Sequence, residues 1–473
     1  MSSVQQIISQ SGIAFGTSGA RGLVVAFTDD LCAAFTQSFV RVMQQNFIFE
    51  RVAIGIDNRP SSPQMAAACI GMLRALGINA DYYGVLPTPA LAYQAMLDQV
   101  PAIMVTGSHI PFDRNGLKFY RPDGEVSKAD EAAILQVTEP LLSSSPQLMA
   151  VNQAGATNYC QRYLSVFPAQ ILSNKHIGIF EHSSSGRELY SKVFEALGAK
   201  VTCLERSDEF VPIDTEAVSD ADKKKALEWA KRHRFDAIFS TDGDGDRPLI
   251  ADEHGNWLRG DIVGLLCAKA LGIEALAVPV SCNAAIEKSL LFSKVVLTRI
   301  GSPYVIAALD DLSAVYNSCA GFEANGGFLL GSDIKLNGSA LTALPTRDAL
   351  LPFLALSTLA GNQQISSLVT QLPQRYTASD RVQNVPVEWS RTLLTGGADD
   401  PLSLLQQLGV AQQSLQSVDQ TDGLRLELEN GDFIHLRPSG NAPELRCYTE
   451  STSEEKAVEL VLSIMTGIKG LLG

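Results

Sequence analysis

Five apolar runs of this chain end on small or polar residues: RVAIGIDNRPSSP, VPAIMVTGSHIP, HIGIFEHSSSGRELYSKVFEALG, FDAIFSTDGDGD and ALAVPVSCNAAIEKSL. Short apolar runs closed by Gly, Ser, Asn or Asp and followed by helical patterns read as strand–turn–helix units. Repeated, they require crossover connections and mostly parallel or mixed sheets. The expected fold class is therefore α/β. In such sheets the loops at the carboxyl ends of strands form the ligand crevice, and every unusual polar cluster in this chain falls at such an end. No sequence repeat is strong enough to be named from the residues alone.

The last quarter has a different pattern. LRLELENGDFIHLR alternates and turns at Asn430-Gly431, a hairpin signal. RPSGNAPE reads as a loop and LRCYTE as a further strand, and Thr452-x-x-Glu455 resembles a capping box opening a final amphipathic helix. This predicts a small α+β domain after a polar linker around Gly361 to Arg381, with another linker from Ser143 to Gln153. A length of 473 residues exceeds one core, and roughly 100–200 residues per domain suggests three or four domains.

Apolar content of 46% with 19% charged residues is globular. A net charge of −14 disfavours nucleic acid, which needs a basic face. It leaves room for a small phosphorylated ligand, which needs only a local arginine cluster. The eight cysteines are scattered with no CxxC pair, the usage of reduced, mostly buried thiols rather than a disulfide framework or zinc site. MSSVQQIISQSG lacks a signal-peptide pattern and no run reaches membrane-spanning length, so the expectation is a cytoplasmic protein without membrane contact.

STDGDGDRP carries the strongest chemical signal. Asp242, Asp244 and Asp246 alternate with glycines after an apolar run, so three carboxylates can converge on one hard cation such as Mg²⁺. Glu253 falls at the twelfth position of an EF-hand count, but position six is Arg247 where glycine is needed, and the flank is strand-like. Ser108 sits beside His109, with Lys118 ten residues on. A serine is a weak nucleophile without help, and the absence of a GxSxG elbow disfavours a hydrolase. RPSGNAPELR offers Arg437, Ser439, the Gly440 and Asn441 backbone and Arg446, a set suited to a phosphate dianion. GFEANGG presents Glu323 and Asn325, which suit sugar hydroxyls, and FGTSGARG surrounds Arg21 with small residues.

In this order the stretches resemble the α-D-phosphohexomutase family, which includes phosphomannomutases, phosphoglucomutases and phosphoglucosamine mutases. Its FGTSGxRG appears as FGTSGARG, its GxDxRxSS as GIDNRPSS, and its PTP as Pro87-Thr88-Pro89. Its serine loop TASHNPxxxNGxK appears as TGSHIPFDRNGLK, its DGDGDR is intact, and its RPSGTEPxxR appears as RPSGNAPELR. The match runs from Phe15 to Glu450.

The resemblance implies four domains around a central cleft: three related α/β domains with mixed sheets, over 1–153, 154–262 and 263–372, and a smaller C-terminal α+β domain over 373–473. It implies a phosphoserine at Ser108 and a hexose 1,6-bisphosphate intermediate linking hexose 6-phosphate and 1-phosphate. Mg²⁺ would be held by Ser108, Asp242, Asp244 and Asp246. His109, Lys118, Arg21 and Arg247 would serve the transfer, with Lys118 a candidate proton carrier and His109 a candidate for orienting the loop. Glu323 and Asn325 would bind the sugar, and Arg437, Ser439, Gly440, Asn441 and Arg446 the idle phosphate.

Six departures stand out, one of them GSPYV, Gly301 to Val305, which lacks the Lys or His of the corresponding loop in some members. Gly107 replaces Ala, a change expected to be harmless, and Ile110 replaces Asn. Gly327 stands where many members have His, and Asn325 replaces Ser. Asn441-Ala442 replaces Thr-Glu. The GFEANGG form is closest to bacterial members acting on mannose phosphates, with glucosamine or glucose phosphates as alternatives. A non-catalytic phosphosugar-binding protein is the alternative of another class.

Overall fold

The computed structural model describes residues 2–16, 19–410, 414–439 and 443–472. The first sheet contains β1 (Ala14–Phe15), β2 (Ala20–Leu23), β3 (Arg51–Ile56), β4 (Asn79–Val85), β5 (Ala102–Val105), β6 (Arg114–Arg121) and β7 (Gly124–Glu125). Its order is β1-β2-β6-β5-β3-β4, with β7 on β6. The second contains β8 (His176–His182), β9 (Lys200–Arg206), β10 (Ala237–Thr241) and β11 (Pro248–Ala251), ordered β11-β10-β8-β9.

The third contains β12 (Ala275–Pro279), β13 (Lys294–Thr298), β14 (Cys319–Phe322) and β15 (Phe328–Leu330). A ribbon of β16 (Ile334–Leu336) and β17 (Ser339–Leu341) leads to β18 (Leu344–Asp348), completing the order β13-β12-β14-β15-β18.

Three of these sheets repeat one topology: β4-β3-β5-β6, β9-β8-β10-β11 and β13-β12-β14-β15. In each, three parallel strands are followed by an antiparallel fourth. The structure thus reveals a repeat that the residues do not spell out. The central strands β3 and β8 are buried almost throughout, which is why they read as continuous apolar runs rather than alternating ones.

The strand–turn–helix reading holds for β3, β8 and β12, which lead into the helices Ser62–Ala75, Arg187–Ala196 and Ala285–Lys288. It fails for β5 and β10. Each of these turns back into an antiparallel strand, β6 or β11. The segments after their loops, GLKFY and PLI, are short and aromatic or branched, which is strand chemistry.

The fourth sheet is antiparallel: β19 (Tyr376–Gln383), β20 (Leu415–Asp419), β21 (Leu424–Leu428), β22 (Phe433–Pro438) and β23 (Glu444–Ser451), ordered β19-β23-β22-β21-β20. The hairpin at Asn430-Gly431 joins β21 and β22. Helix Glu454–Leu472 packs its apolar side on this sheet. Its first turn is capped by Ser453, whose Oγ accepts from Lys456 N–H, one residue later than the Thr452 cap expected.

Residues 143–153 have no regular element, as a linker should, yet they are pinned by Gln147 N–H to the Ala67 carbonyl and Asn152 N–H to the Tyr82 carbonyl. The stretch from Gly361 to Arg381 is not a plain linker. It holds the helix Ile365–Thr370 and most of β19, an edge strand whose mostly exposed residues hid its pairing from the pattern.

One apolar cluster runs from Ala53 through Phe194, Phe239 and Phe353 to Leu372, so the first three sheets share a core. The fourth sheet has its own. All eight cysteines are free thiols and six are buried. Among the described residues no helix is long and apolar enough to cross a membrane.

Candidate active site

The chemistry-bearing loops occupy one kind of position. The Ser108 loop joins β5 to β6, the aspartate loop joins β10 to β11, and the Glu323 loop joins β14 to β15. Each is the turn after the third parallel strand of the repeated topology. The fourth loop, after Ser439, joins β22 to β23.

Ser108 is fully buried in the left-handed region at φ 52°. For a residue with a Cβ this costs roughly 1–2 kcal/mol, so surrounding contacts must hold it. Thr106 Oγ1 accepts its N–H at 2.8 Å. Arg59 grips the rest of the loop by donating to the carbonyls of Ser108 (2.9 Å), Pro111 (2.7 Å), Arg114 (2.8 Å) and Ile110. Asp57 holds that guanidinium at 3.3 Å and also accepts from Ser62 and Thr106. The GIDNRPSS motif is thus the clamp of the serine loop, a role its sequence did not announce.

The clamp explains two departures. Ile110 contributes its carbonyl to Arg59, which any side chain permits. Gly107 is not a neutral exchange for Ala: a Cβ there would lie 2.6 Å from Arg59 Cζ, so the guanidinium occupies the space a methyl would need.

The Ser108 hydroxyl donates to Asp242 Oδ2 at 2.6 Å. Asp242, Asp244 and Asp246 are buried, and their oxygens lie within 4.8 Å of one another. Gly245 permits the turn at φ 72°, where a Cβ would also lie 2.7 Å from the Tyr190 hydroxyl. Thr88 of the Pro87-Thr88-Pro89 motif donates its N–H to the Asp244 carbonyl (2.8 Å) and its Oγ1 to Asp244 Oδ2 (2.7 Å).

Lys118 Nζ lies 2.6 Å from Asp244 Oδ2 and 2.8 Å from Asp246 Oδ2. Burial, with the charges of Asp244 and Asp246, pushes the Asp242 carboxyl well above its usual range. Asp244 and Asp246 are held below theirs: burial opposes this, but Lys118 wins at Asp244, and Arg347, Lys118 and Arg247 win at Asp246.

The triad fits a divalent cation. Asp244 Oδ1 and Asp246 Oδ1 are buried with no hydrogen-bond partner among the described residues, and such oxygens are costly unless a cation or donor meets them.

His109 Nδ1 accepts from Arg247 Nη1 at 2.8 Å. Burial, with Arg247 and Arg21 nearby, pushes its pKa down to about 3, so the ring is neutral at pH 7. Arg21 is itself lowered to about 10 by burial and by the charges of Arg247 and Arg347.

Arg347 joins this group although the motifs did not single it out. It ends within β18 and pairs with Asp246 at 3.1 Å and Glu323 at 3.2 Å. Glu323 is thereby tied to the centre. Asn325 is buried nearby, but its Oδ1 accepts from Gly327 N–H (3.0 Å) and its carbonyl accepts from Thr215 (2.8 Å), so the side chain shapes its own loop.

The C-terminal residues lie across the cleft. A cavity of about 740 Å³ is lined by His109, Arg247, Arg259, Arg381, Arg425 and Arg446 among others. Asp214, Glu216, Asp380 and Glu450 line it too, but in a chain of net charge −14 five arginines at one cavity are the equipment for a phosphorylated ligand. Glu444 holds Arg446 at 2.7 Å. Arg437, directly opposite Arg446 in the sheet, faces a second cavity of about 310 Å³ with Arg299 and Asp422. Ser439 N–H donates to the Glu444 carbonyl. Gly440 and Asn441 lie outside the described residues.

Three repeated α/β sheets and a fourth antiparallel one, gathered on a buried serine, an aspartate triad and a lysine, define a phosphohexomutase, an enzyme of the isomerase class. The chain belongs to the phosphoglucomutase/phosphomannomutase family. Models of that family match alpha/beta/alpha domain I at residues 12–142, alpha/beta/alpha domain III at 259–376 and the C-terminal domain at 375–466. The chain is 58% identical to the phosphomannomutase of Salmonella muenchen, over 99% of this chain and 98% of that protein. It is 40% identical to the phosphomannomutase of Sinorhizobium fredii, over 95% and 97%. Its fold matches a phosphoglucomutase/phosphomannomutase family protein from Burkholderia thailandensis with TM-score 0.77 at 19% identity, covering 99% of this chain and 98% of that one.

Proposed function

We propose that the chain interconverts mannose 6-phosphate and mannose 1-phosphate through a phosphoserine at Ser108 and a hexose 1,6-bisphosphate that reorients in the cleft. The observation that carries this reading is the buried Ser108 hydroxyl, 2.6 Å from Asp242 of an aspartate triad that also holds Lys118. Its one histidine neighbour is neutral, held by Arg247 and 3.4 Å from the hydroxyl. Identity of 58% to a phosphomannomutase supports mannose as the sugar.

Mg²⁺ would be held by Asp242, Asp244 and Asp246 together with the phosphorylated Ser108. When bound it supplies neutralisation of phosphoryl charge, the main requirement of this reaction. The chain's own groups do the rest. In the forward half-reaction a sugar hydroxyl oxygen bonds to phosphorus as the bond from phosphorus to Ser108 Oγ breaks. Lys118 donates a proton to the departing Oγ and recovers one from the attacking hydroxyl, so the half-reaction balances. Arg21 and Arg247 stabilise the phosphoryl oxygens, and His109 orients the loop. Glu323, with Asn325 shaping its loop, would meet the sugar, while Arg446 with Ser439, Gly440 and Asn441 would hold the phosphate that is not reacting; Arg437, which lines the second cavity, would have to turn toward it.

The test is a coupled assay with mannose 1-phosphate, glucose 1-phosphate and glucosamine 1-phosphate, with Mg²⁺ and a hexose bisphosphate activator. The highest kcat/KM is expected with mannose 1-phosphate. Preference for glucosamine 1-phosphate would overturn the substrate assignment, and no turnover of any by phosphorylated protein would overturn the mutase reading.

A further inference from the structure

Arg347 is 1% exposed at its side chain. Among the described residues it alone makes ion pairs with both the aspartate loop and the sugar loop: Nη2 to Asp246 Oδ2 at 3.1 Å and Nη1 to Glu323 Oε2 at 3.2 Å. Its place is prepared by another residue. A Cβ at Gly327 would lie 2.7 Å from Arg347 Cγ and Cδ, so the glycine leaves a slot that the arginine stem fills.

Desolvation of the guanidinium is outweighed by Asp246, Glu125 and Glu323, which hold it charged. The guanidinium is buried near Arg21 and Arg247, and its charge contributes to lowering the Arg21 pKa. A hydrocarbon side chain could fill the Gly327 slot without needing carboxylate partners, so packing alone does not account for a third arginine here.

We propose that Arg347 is a positioning residue that locks the sugar loop to the aspartate loop and sets the balance of the centre between cation and phosphate. It holds Glu323 and Asp246 in fixed relation. Its positive charge weakens the attraction of the triad for a divalent cation and strengthens that of the cleft for phosphoryl groups. This rests on the cation-and-phosphosugar reading of the site.

The two effects have opposite signs, which a purely structural role would not produce. Mn²⁺ binding to the full-length protein is titrated by the electron paramagnetic resonance of the free ion, and KM for mannose 1-phosphate is measured in parallel. Arg347→Gln should bind Mn²⁺ more tightly, by at least about tenfold, because a unit charge this close to a divalent ion repels it strongly even at an effective dielectric near 20, while KM rises on the order of tenfold. Arg347→Lys keeps the charge but cannot span both carboxylates, so Mn²⁺ binding stays near wild type while KM rises.

Mn²⁺ binding that is unchanged or weaker in folded Arg347→Gln overturns the proposal. If that variant does not fold, Glu323→Gln reads the same link from the other end. Arg347 is then left to Asp246 alone and Mn²⁺ binding should weaken several-fold; unchanged binding overturns the proposal. Wild-type protein that binds no Mn²⁺ would instead overturn the cation site, and the link with it.

Discussion

Ser108 Oγ and Asp242 Oδ2 are 2.6 Å apart although 134 positions separate them in the chain. Each sits on the hairpin turn after the third parallel strand of its own sheet, so two copies of one topology bring a hydroxyl to a carboxylate. Ser108→Ala should abolish turnover and the phosphoprotein mass together. A normal rate in that variant would remove Ser108 from the reaction.

The loop that carries Ser108 is held by a side chain outside it. Arg59→Met strips four carbonyls of their donor and leaves Asp57 buried without its partner. Uncompensated buried charge typically costs about 3–5 kcal/mol, visible in chemical denaturation. In protein that remains folded, kcat should fall on the order of a hundredfold from misplacement of the nucleophile with KM little changed. A stable variant of normal kcat would show that the clamp is dispensable.

Gly107→Ala tests the same clamp more gently. The added methyl would meet Arg59 Cζ at 2.6 Å, and overpacking of this kind costs about 1–3 kcal/mol. A thermal midpoint equal to wild type would mean that Arg59 can move aside freely.

If Arg446 holds the phosphate that does not react, as proposed, Arg446→Ala should raise KM for the sugar phosphate about tenfold with kcat within roughly twofold. Unchanged KM would place that phosphate elsewhere in the cleft.

His182 supplies a pH dependence. Its ring is buried with Nε2 2.9 Å from the Thr241 carbonyl, and burial lowers its pKa from 6.5 to about 4. The folded pKa lies below the unfolded one, so between these values the unfolded chain takes up a proton that the folded chain refuses. The contribution is complete above pH 6.5 and shrinks as pH falls towards 4, by up to about 1.4 kcal/mol per pH unit. The stability advantage of wild type over His182→Gln should therefore narrow from pH 7 to pH 5. A constant difference would show that the imidazole is not kept neutral by folding.

Much of the site was legible because its chemistry is local. Three aspartates at alternate positions, a serine and lysine on one loop, and arginines around a small-residue turn each need only a few neighbouring residues to be recognised. The α/β class was legible for the same reason, since a buried parallel strand is a short apolar run. What followed β5 and β10 was less legible, because an apolar segment after a turn can begin a helix or return as a strand, and pairing partners decide which. β19 was hidden because an edge strand buries little.

Arg59, Asp57, Thr88 and Arg347 escaped notice as site residues because each acts on a loop far away in sequence. A charged residue becomes informative only when its partners are known. Gly107 and Gly327 show the same limit, since a missing Cβ has meaning only once the side chain filling its space is seen.

By itself, then, the sequence determined which reactive groups exist and which loops present them, because these depend on residue type and spacing over a few positions. Tertiary structure decided that the loops meet at equivalent turns of three repeated sheets. It also decided that Arg59 fixes the Ser108 loop and that Arg347 spans the aspartate and Glu323 loops, because burial of charge is resolved only by partners that folding brings together.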